Sequence, residues 1–172
     1  LWDDVFTKYF YNYQTVAIML ILVGIVFIVI ERANKNKIAR VDSIDDISYG
    51  QAFLIGVFQM IAAIFPGTSR SGSTIVGSLM LGISRTAAAE FTFFLAVPAM
   101  FGGSAIKILK YSGGFNSSEV ALLAIGMIVA FVLSIIAIKF LMSYIKKHDF
   151  KVFGWYRIVL GIAVIGYFLA TR

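Results

Sequence analysis

Residues 66–74 read Pro66-Gly67-Thr68-Ser69-Arg70-Ser71-Gly72-Ser73-Thr74, a polar run within an apolar part of the chain. It separates two apolar segments, residues 52–65 before it and residues 75–83 after it. The first segment is about 21 Å long as a helix, short of the roughly 30 Å hydrocarbon core of a bilayer. Two half-length helices around a polar Gly/Pro break predict a re-entrant hairpin over about residues 51–83. Such irregular backbone is tolerated at membrane depth only where it is buried in protein or lines a cavity.

The composition of the 172 residues supports a membrane setting. Hydrophobic residues make up 60% and charged residues 14%, and the mean hydropathy is +0.90, whereas charged residues are about a quarter of a soluble domain. The net charge of +6 comes from Lys and Arg beside the apolar segments, a pattern that reports topology, so no nucleic acid is expected as a partner. The chain has no Cys, which excludes disulfides, thiolate metal sites and a cysteinyl phosphatase mechanism.

Four further apolar segments are long enough to span a bilayer, at about residues 13–30, 85–107, 119–142 and 153–170. The basic loops at residues 31–48 and 144–152 are predicted to be cytoplasmic by the positive-inside rule. Both ends of the hairpin then lie on that side. The sequence therefore predicts an all-α, polytopic integral membrane protein with a single domain over residues 1–172.

Local signals predict how these segments begin and which polar residues are structural. Ser84 is expected to cap the span that follows it, and Ser117 and Ser118 to cap the next span. Glu31 is assigned to the first solvated loop and His148, the one histidine, to the second. His148 is expected to be solvated and to do no chemistry.

Two other features receive structural interpretations. Glu90 lies about one turn inside a span, where it could pair with Arg70 or Arg85 or orient the site, and pairing is favoured over direct chemistry. The Gly102-Gly103 pair and Gly126 are expected to allow close helix packing.

The 66–74 stretch has the chemistry of an anion site. Gly67 and Gly72 are expected to let the backbone take φ > 0 and approach a ligand closely. Backbone N–H groups at the start of the following helix would point into the loop. Arg70 adds a planar guanidinium that matches phosphate oxygens, and a lone Arg in a membrane segment indicates function. Five hydroxyls supply further donors, those of Thr68, Ser69, Ser71, Ser73 and Thr74.

Two better-known phosphate motifs do not fit this stretch. A Walker A loop needs Lys where Ser73 stands and a strand before it, and here an apolar half-helix precedes it. Lipid phosphatases of the phosphatidic-acid type place a His shortly after the Arg, and the residues there are Ile75-Val76-Gly77.

The stretch closely resembles the second signature of the undecaprenyl-diphosphate phosphatase family, the bacitracin-resistance proteins. That signature is a Pro-Gly-x-Ser-Arg-Ser-Gly run, which is present here from Pro66 to Gly72. The resemblance extends over most of the chain. Its flanks are Gly56-x-x-Gln59 before the run, Arg85 to Glu90-Phe91 after it, and Ala96-Val97-Pro98-Ala99-Met100 beyond.

The resemblance implies two inverted repeats, each with a broken re-entrant hairpin, that meet in one active site. It implies hydrolysis of undecaprenyl diphosphate to the monophosphate carrier of peptidoglycan synthesis, in the bacterial plasma membrane, with a divalent cation (Mg²⁺ or Ca²⁺). The expected partners are the polyprenyl diphosphate lipid and the bilayer, and a homodimer is left open.

Residue by residue, the resemblance implies that Arg70 neutralises the diphosphate during catalysis and that Ser69 contacts its oxygens. The remaining substrate contacts would come from Gly67, Thr68, Ser71, Gly72, Ser73 and Gln59. The first signature of the family, an acidic pair followed by Ser/Thr-Gly-His, has no match here. The chain is therefore expected to be the C-terminal two-thirds of the enzyme, with the N-terminal repeat largely missing. The base or nucleophile and the main metal ligands would lie in that missing part.

A membrane transporter or flippase, moving an anion or a polyprenyl-phosphate lipid, is the alternative function. Inverted repeats and broken helices with N-termini aimed at anions are typical of transporters too. Phosphate release by the purified protein would favour the hydrolase, and substrate movement without turnover would favour the carrier.

Overall fold

The computed structural model describes residues 12–111, 113–114 and 116–171. In this part of the chain no strand forms, and the one extended pairing is an isolated bridge between Val41 and Ile83. Four of the helices are long and apolar enough to cross a membrane, so the prediction of an all-α, multi-pass protein is confirmed. The helices are α1 (Tyr13–Ala33), α2 (Tyr49–Ile64), α3 (Arg70–Met80), α4 (Arg85–Lys110), α5 (Ser117–Ile145) and α6 (Lys151–Ala170), with a 3₁₀ turn at Ile44–Asp46.

The helix starts follow from capping residues. The Ala87 N–H donates to Ser84 Oγ at 3.3 Å, as predicted for the start of α4. At α5, however, the cap is Asn116 and not Ser117 or Ser118. Asn116 Oδ1 accepts from the Glu119 N–H at 2.8 Å, and the Glu119 carboxylate accepts from the Asn116 N–H at 3.1 Å. This reciprocal capping box satisfies two terminal donors at once, which neither serine could do here.

The described residues fall into two compact units. One takes in the chain up to Thr92 and again from Asp149 onward, and the other is Phe93–His148. In the second unit an added Cβ at Gly102, Gly103 or Gly126 would meet no atom within 4 Å, so the close packing predicted there is not present among the described residues. The first unit contains the 66–74 stretch. A single domain over the whole chain stays a prediction.

Helices α1 and α6 run antiparallel in contact through glycines. A Cβ added at Gly24 would lie 2.7 Å from the Gly154 carbonyl oxygen, and one added at Gly154 would lie 2.8 Å from the Gly24 oxygen. A Cβ at Gly161 would lie 2.8 Å from the Ala17 oxygen. Side chains do not approach backbone so closely, so glycine is required at these positions. The backbones of α1 and α6 are therefore in direct contact at these glycines.

Helices α2 and α3 pack against each other, and α3 also contacts α1. The end of α3 is bonded to the segment that follows α1. The Asn34 side-chain amide donates to the Leu79 oxygen at 3.0 Å, and the Arg40 N–H donates to the Gly82 oxygen at 2.8 Å. The α2–α3 pair thus returns to the end of α1 from which it started.

The turn between α2 and α3 lies near the other end of α1. A Cβ added at Gly67 would lie only 2.6 Å from the Val16 oxygen. Val16 and Glu31 are 15 residues apart in α1, which is about 22 Å along a helix. A hairpin that starts and ends at one side and reaches this depth has the shape that re-entry requires. Its re-entry into a bilayer stays a prediction.

Candidate functional site

The turn between α2 and α3 has two residues in the left-handed region, Gly67 at φ +90° and Ser69 at φ +66°. The prediction for Gly67 is confirmed. For Gly72 it is wrong, because this residue lies inside α3 and has no positive φ. An added Cβ there would meet Ser69 and Phe27 at 3.4–3.5 Å, an ordinary contact. The strained conformation falls instead on Ser69, a residue type that rarely adopts it.

Ser69 caps α3 and leaves three backbone donors free beside it. Its Oγ accepts from the Gly72 N–H at 3.2 Å, and its carbonyl accepts from the Ser73 N–H at 3.0 Å. The N–H groups of Ser69, Arg70 and Ser71 have no acceptor among the described residues. They lie at the positive end of the helix dipole, where an anion is stabilised.

Arg70 is the first residue of α3, and its side chain is exposed. It makes no ion pair or hydrogen bond within the described part of the chain. Glu90 is half-buried and, within the same residues, also has no partner. The predicted pairing of Glu90 with Arg70 or Arg85 is therefore wrong. The Arg70 guanidinium is free to meet an anion next to the three N–H groups.

The threonines of the stretch divide into two kinds. Thr74 is 1% exposed, and its Oγ1 lies 3.2 Å and 3.0 Å from the Arg70 and Ser71 carbonyl oxygens and 2.9 Å from Thr92 Oγ1. Its hydroxyl is used internally. Thr68 is 2% exposed, and its Oγ1 is the one buried side-chain polar atom without a partner in the described residues. Such a group costs free energy unless a ligand completes it.

The remaining predicted contacts are placed unequally. The Ser69 and Ser71 hydroxyls lie 3.3 Å apart at the start of α3. Ser73 is buried within α3. Gln59 is half-buried in α2, and among the described residues no hydrogen bond joins it to the turn. The structure therefore brings together Gly67, Thr68, Ser69, Arg70 and Ser71, and leaves the assignments of Gln59 and Ser73 as predictions.

Arg157 is a neighbour of the turn that the sequence interpretation missed. It lies in α6, and its Nη1 donates to the Thr68 carbonyl oxygen at 3.1 Å and to the Gly67 oxygen at 3.4 Å. A signal was present, because an Arg inside an apolar span is rare and usually has a specific partner.

Glu31 lies at the opposite end of α1 and is buried, at 1% exposure. Its assignment to a solvated loop is wrong, because α1 continues to Ala33 and turns this side chain inward. Arg85 Nε donates to both carboxylate oxygens at 3.0 Å and 3.1 Å, and its Nη2 donates to Oε2 at 2.5 Å. The Phe150 N–H donates to Oε1 at 3.0 Å. These bonds tie α1, α4 and the start of α6 together.

His148 is exposed, as expected, and its ring stacks on Tyr144 at a centroid distance of 4.3 Å. A divalent cation would need carboxylate or imidazole ligands. Among the described residues no three His, Cys, Asp or Glu side chains come together, and the turn offers hydroxyls and a cation. These residues do not fit a metal ion, and dependence on a divalent cation stays a prediction.

These features define a class, the multi-pass α-helical membrane proteins. The sequence model of the bacitracin resistance protein BacA matches residues 1–163. The chain belongs to this family.

Curated relatives match almost the whole chain. The undecaprenyl-diphosphatase of Desulfitobacterium hafniense is 66% identical over 170 residues, 99% of this chain and 61% of the relative. Undecaprenyl-diphosphatase 1 of Clostridium acetobutylicum is 62% identical, over 97% of this chain and 61% of the relative. The undecaprenyl-diphosphatase of Enterococcus faecalis is 60% identical, over 96% and 59%. The chain thus spans about three-fifths of the length of these relatives.

Proposed function

We propose that this chain carries the phosphate-binding turn of a membrane hydrolase that removes the terminal phosphate of undecaprenyl diphosphate. The observation that carries the proposal is the cluster of unpaired donors at the start of α3. It comprises the N–H groups of Ser69, Arg70 and Ser71, the free Arg70 guanidinium and the Thr68 hydroxyl, none of which has a partner among the described residues. The names of the relatives supply the substrate, and the turn supplies the chemistry that would grip it.

In such a hydrolysis, water attacks the terminal phosphorus and the bond from that phosphorus to the bridging oxygen breaks. Inorganic phosphate leaves, and the lipid keeps its monophosphate. Negative charge develops on the phosphoryl and bridging oxygens, so fixed donors and a guanidinium lower the barrier. None of the hydroxyls or the guanidinium at the turn is a base at neutral pH. We therefore assign Arg70 and the donors around Ser69 to binding and charge stabilisation only.

The proposed setting is the bacterial plasma membrane, with the polyprenyl diphosphate and the bilayer as partners. The Phe150 N–H donates to Glu31, so the two basic loops meet α1 and α6 at the same end, as cytoplasmic placement of both requires. The turn then lies toward the outer side. A Cys placed at Asn36 should resist an impermeant thiol reagent in intact cells, and one placed at Gly114 should react. The opposite labelling pattern would contradict this orientation.

The proposal is tested by replacing Arg70 in the full-length protein. Arg70→Ala should lower phosphate release from undecaprenyl diphosphate by about 10²–10³-fold, the usual effect of removing one electrostatic donor. Arg70→Lys should recover only a small part, because an ammonium lacks the planar fork. Melting curves of both variants should match the wild type, since Arg70 has no partner among the described residues.

Arg32→Ala is the matched control, because Arg32 is an exposed arginine in the last turn of α1. It should leave turnover near the wild-type value. An Arg70→Ala protein that folds and keeps most of its activity would show that the phosphate is gripped elsewhere. Movement of the lipid without phosphate release would favour the transporter.

A further inference from the structure

Arg157 is a cation inside the apolar helix α6, and its hydrogen bonds go to backbone carbonyl groups. Its Nη1 contacts the Thr68 and Gly67 oxygens, and within the described residues it has no carboxylate partner. An intramembrane Arg costs several kcal/mol unless it is well partnered or works in a site. Its contacts lie in the turn that contains the proposed phosphate-binding donors.

The two carbonyls that Arg157 holds fix the direction of the next peptide groups. In a trans peptide the C=O and the following N–H point in opposite directions, and no cis bond is present among the described residues. Both polar groups of the Gly67–Thr68 peptide are hydrogen-bonded. The Gly67 oxygen accepts from Arg157, and the Thr68 N–H donates to the Phe65 oxygen at 3.3 Å. In the Thr68–Ser69 peptide only the carbonyl group has a hydrogen-bond partner, which is Arg157. Its N–H, on Ser69, therefore points away from Arg157 and has no acceptor in the described part of the protein.

The position of Arg157 is itself fixed by glycine packing. Gly154 and Gly161 lie three residues before and four residues after it, so all three share one face of α6. Both glycines touch the backbone of α1, where an added Cβ would come within 2.8 Å of a carbonyl oxygen. Gly67 rests on the same helix, at Val16. Helix α1 thus supports both the helix that carries Arg157 and the turn itself.

We infer that Arg157 is a positioning residue for the phosphate-binding turn. By binding the Gly67 and Thr68 carbonyls it turns those oxygens away from the anion, and it holds the Ser69 N–H, in its strained φ of +66°, toward the anion. Without it the Thr68–Ser69 peptide can rotate and present a carbonyl oxygen to the phosphate, which repels it. This inference rests on the proposed function, and it concerns a residue that does not touch the substrate.

The experiment compares Arg157→Met, Arg157→Gln and Arg85→Met in the full-length, detergent-purified protein. Inorganic pyrophosphate is the probe, as a competitive inhibitor of phosphate release. Arg157→Met should raise the inhibition constant of pyrophosphate and lower kcat/KM, each by at least about tenfold. Arg157→Gln keeps one amide donor for a carbonyl and should lose less, about threefold. Arg85→Met removes an arginine that is bonded to Glu31 at the opposite end of α1, so it should lower the melting temperature and leave the inhibition constant of the folded protein unchanged.

A purely structural role for Arg157 would give the Arg85→Met pattern in Arg157→Met, with lower stability and unchanged constants, and would overturn the inference. If Arg157→Met does not fold, an unchanged inhibition constant in Arg157→Gln overturns it instead. The Arg70 variants separate failure of this inference from failure of the proposed function. Loss of activity in Arg70→Ala with wild-type constants in Arg157→Met refutes only this inference, whereas an active Arg70→Ala protein refutes the proposed function.

Discussion

The two ends of α1 carry similar polar chemistry in opposite states. At the Glu31 end, the buried carboxylate accepts bonds from Arg85 and from the Phe150 N–H. At the Val16 end, the turn holds a guanidinium, three N–H groups and a buried hydroxyl that have no partner among the described residues. Buried polar groups oppose folding when they have no partner. The paired cluster is therefore structural, whereas the turn has donors available for the ligand proposed above.

The largest effect on stability is expected when the paired end is broken. Arg85→Met leaves the Glu31 carboxylate buried without its cation, a change that typically costs about 3–5 kcal/mol. The folded yield and the melting temperature should fall sharply. Activity per folded molecule should be largely kept, because this cluster lies about 22 Å along α1 from the turn.

A double variant sharpens that result. In Arg85→Met/Glu31→Gln the charge is gone, and the amide oxygen still accepts from the Phe150 N–H. Replacing both members of a buried pair is often nearly neutral, so most of the lost stability should return. A double variant as unstable as the single one would show that the packing around Arg85, and not the buried charge, is what matters.

The second prediction compares two buried threonines of the same stretch. Thr74→Val removes a hydroxyl bonded to Thr92 and to two carbonyls, so it should cost about 1–3 kcal/mol of stability with turnover per folded molecule kept. Thr68→Val removes a hydroxyl that has no partner among the described residues. It should leave the melting temperature equal or higher and lower phosphate release severalfold. Equal behaviour of the two variants in both assays would remove the distinction.

The smallest effect is expected at the partly exposed pair of Asp149 and Lys151, whose side chains lie 2.6 Å apart. Partial burial raises the pKa of Asp149, but the hydrogen bonds and charge of Lys151 outweigh it and hold the pKa below its usual value. The ion pair therefore contributes its full stabilisation above the ordinary carboxyl pKa of about 4. This stabilisation is lost as pH falls through the lowered pKa. Asp149→Asn should cost less than about 1 kcal/mol at neutral pH. Melting curves from about pH 3 to 7 should show the difference vanish at the acid end, and a loss comparable to Arg85→Met would contradict the ranking.

The sequence predicts those features that depend on neighbouring residues. The Pro66-Gly67 break and the two short helices around it are local, and the structure contains both. The cap at Asn116 is also readable from the sequence, since Glu119 stands at the third helical position, where a capping box needs it. Ser117 and Ser118 are favoured in the sequence analysis only because serine is common at helix caps.

What the sequence does not predict depends on distant partners. Glu31 meets Arg85 across 54 positions and Phe150 across 119, and Arg157 meets the turn across 89 and 90. An apolar run shows that a helix spans, but a helix that is apolar all round does not show which face meets its neighbour. The glycines of α1 and α6 decide that face, and only the packed structure shows which of them are in contact.

The pairing of α1 with α6 also sets the order in which the protein can mature. These are the first and the last described helices, and α6 carries the arginine that holds the turn. Chains are made from the N-terminus and fold as their parts emerge, so α2 and α3 can pair while the ribosome is still synthesising α5. The Gly67 and Thr68 carbonyl groups then lack the Arg157 partner until α6 docks against Gly24. Assembly of the turn is therefore complete only after α6 has been made.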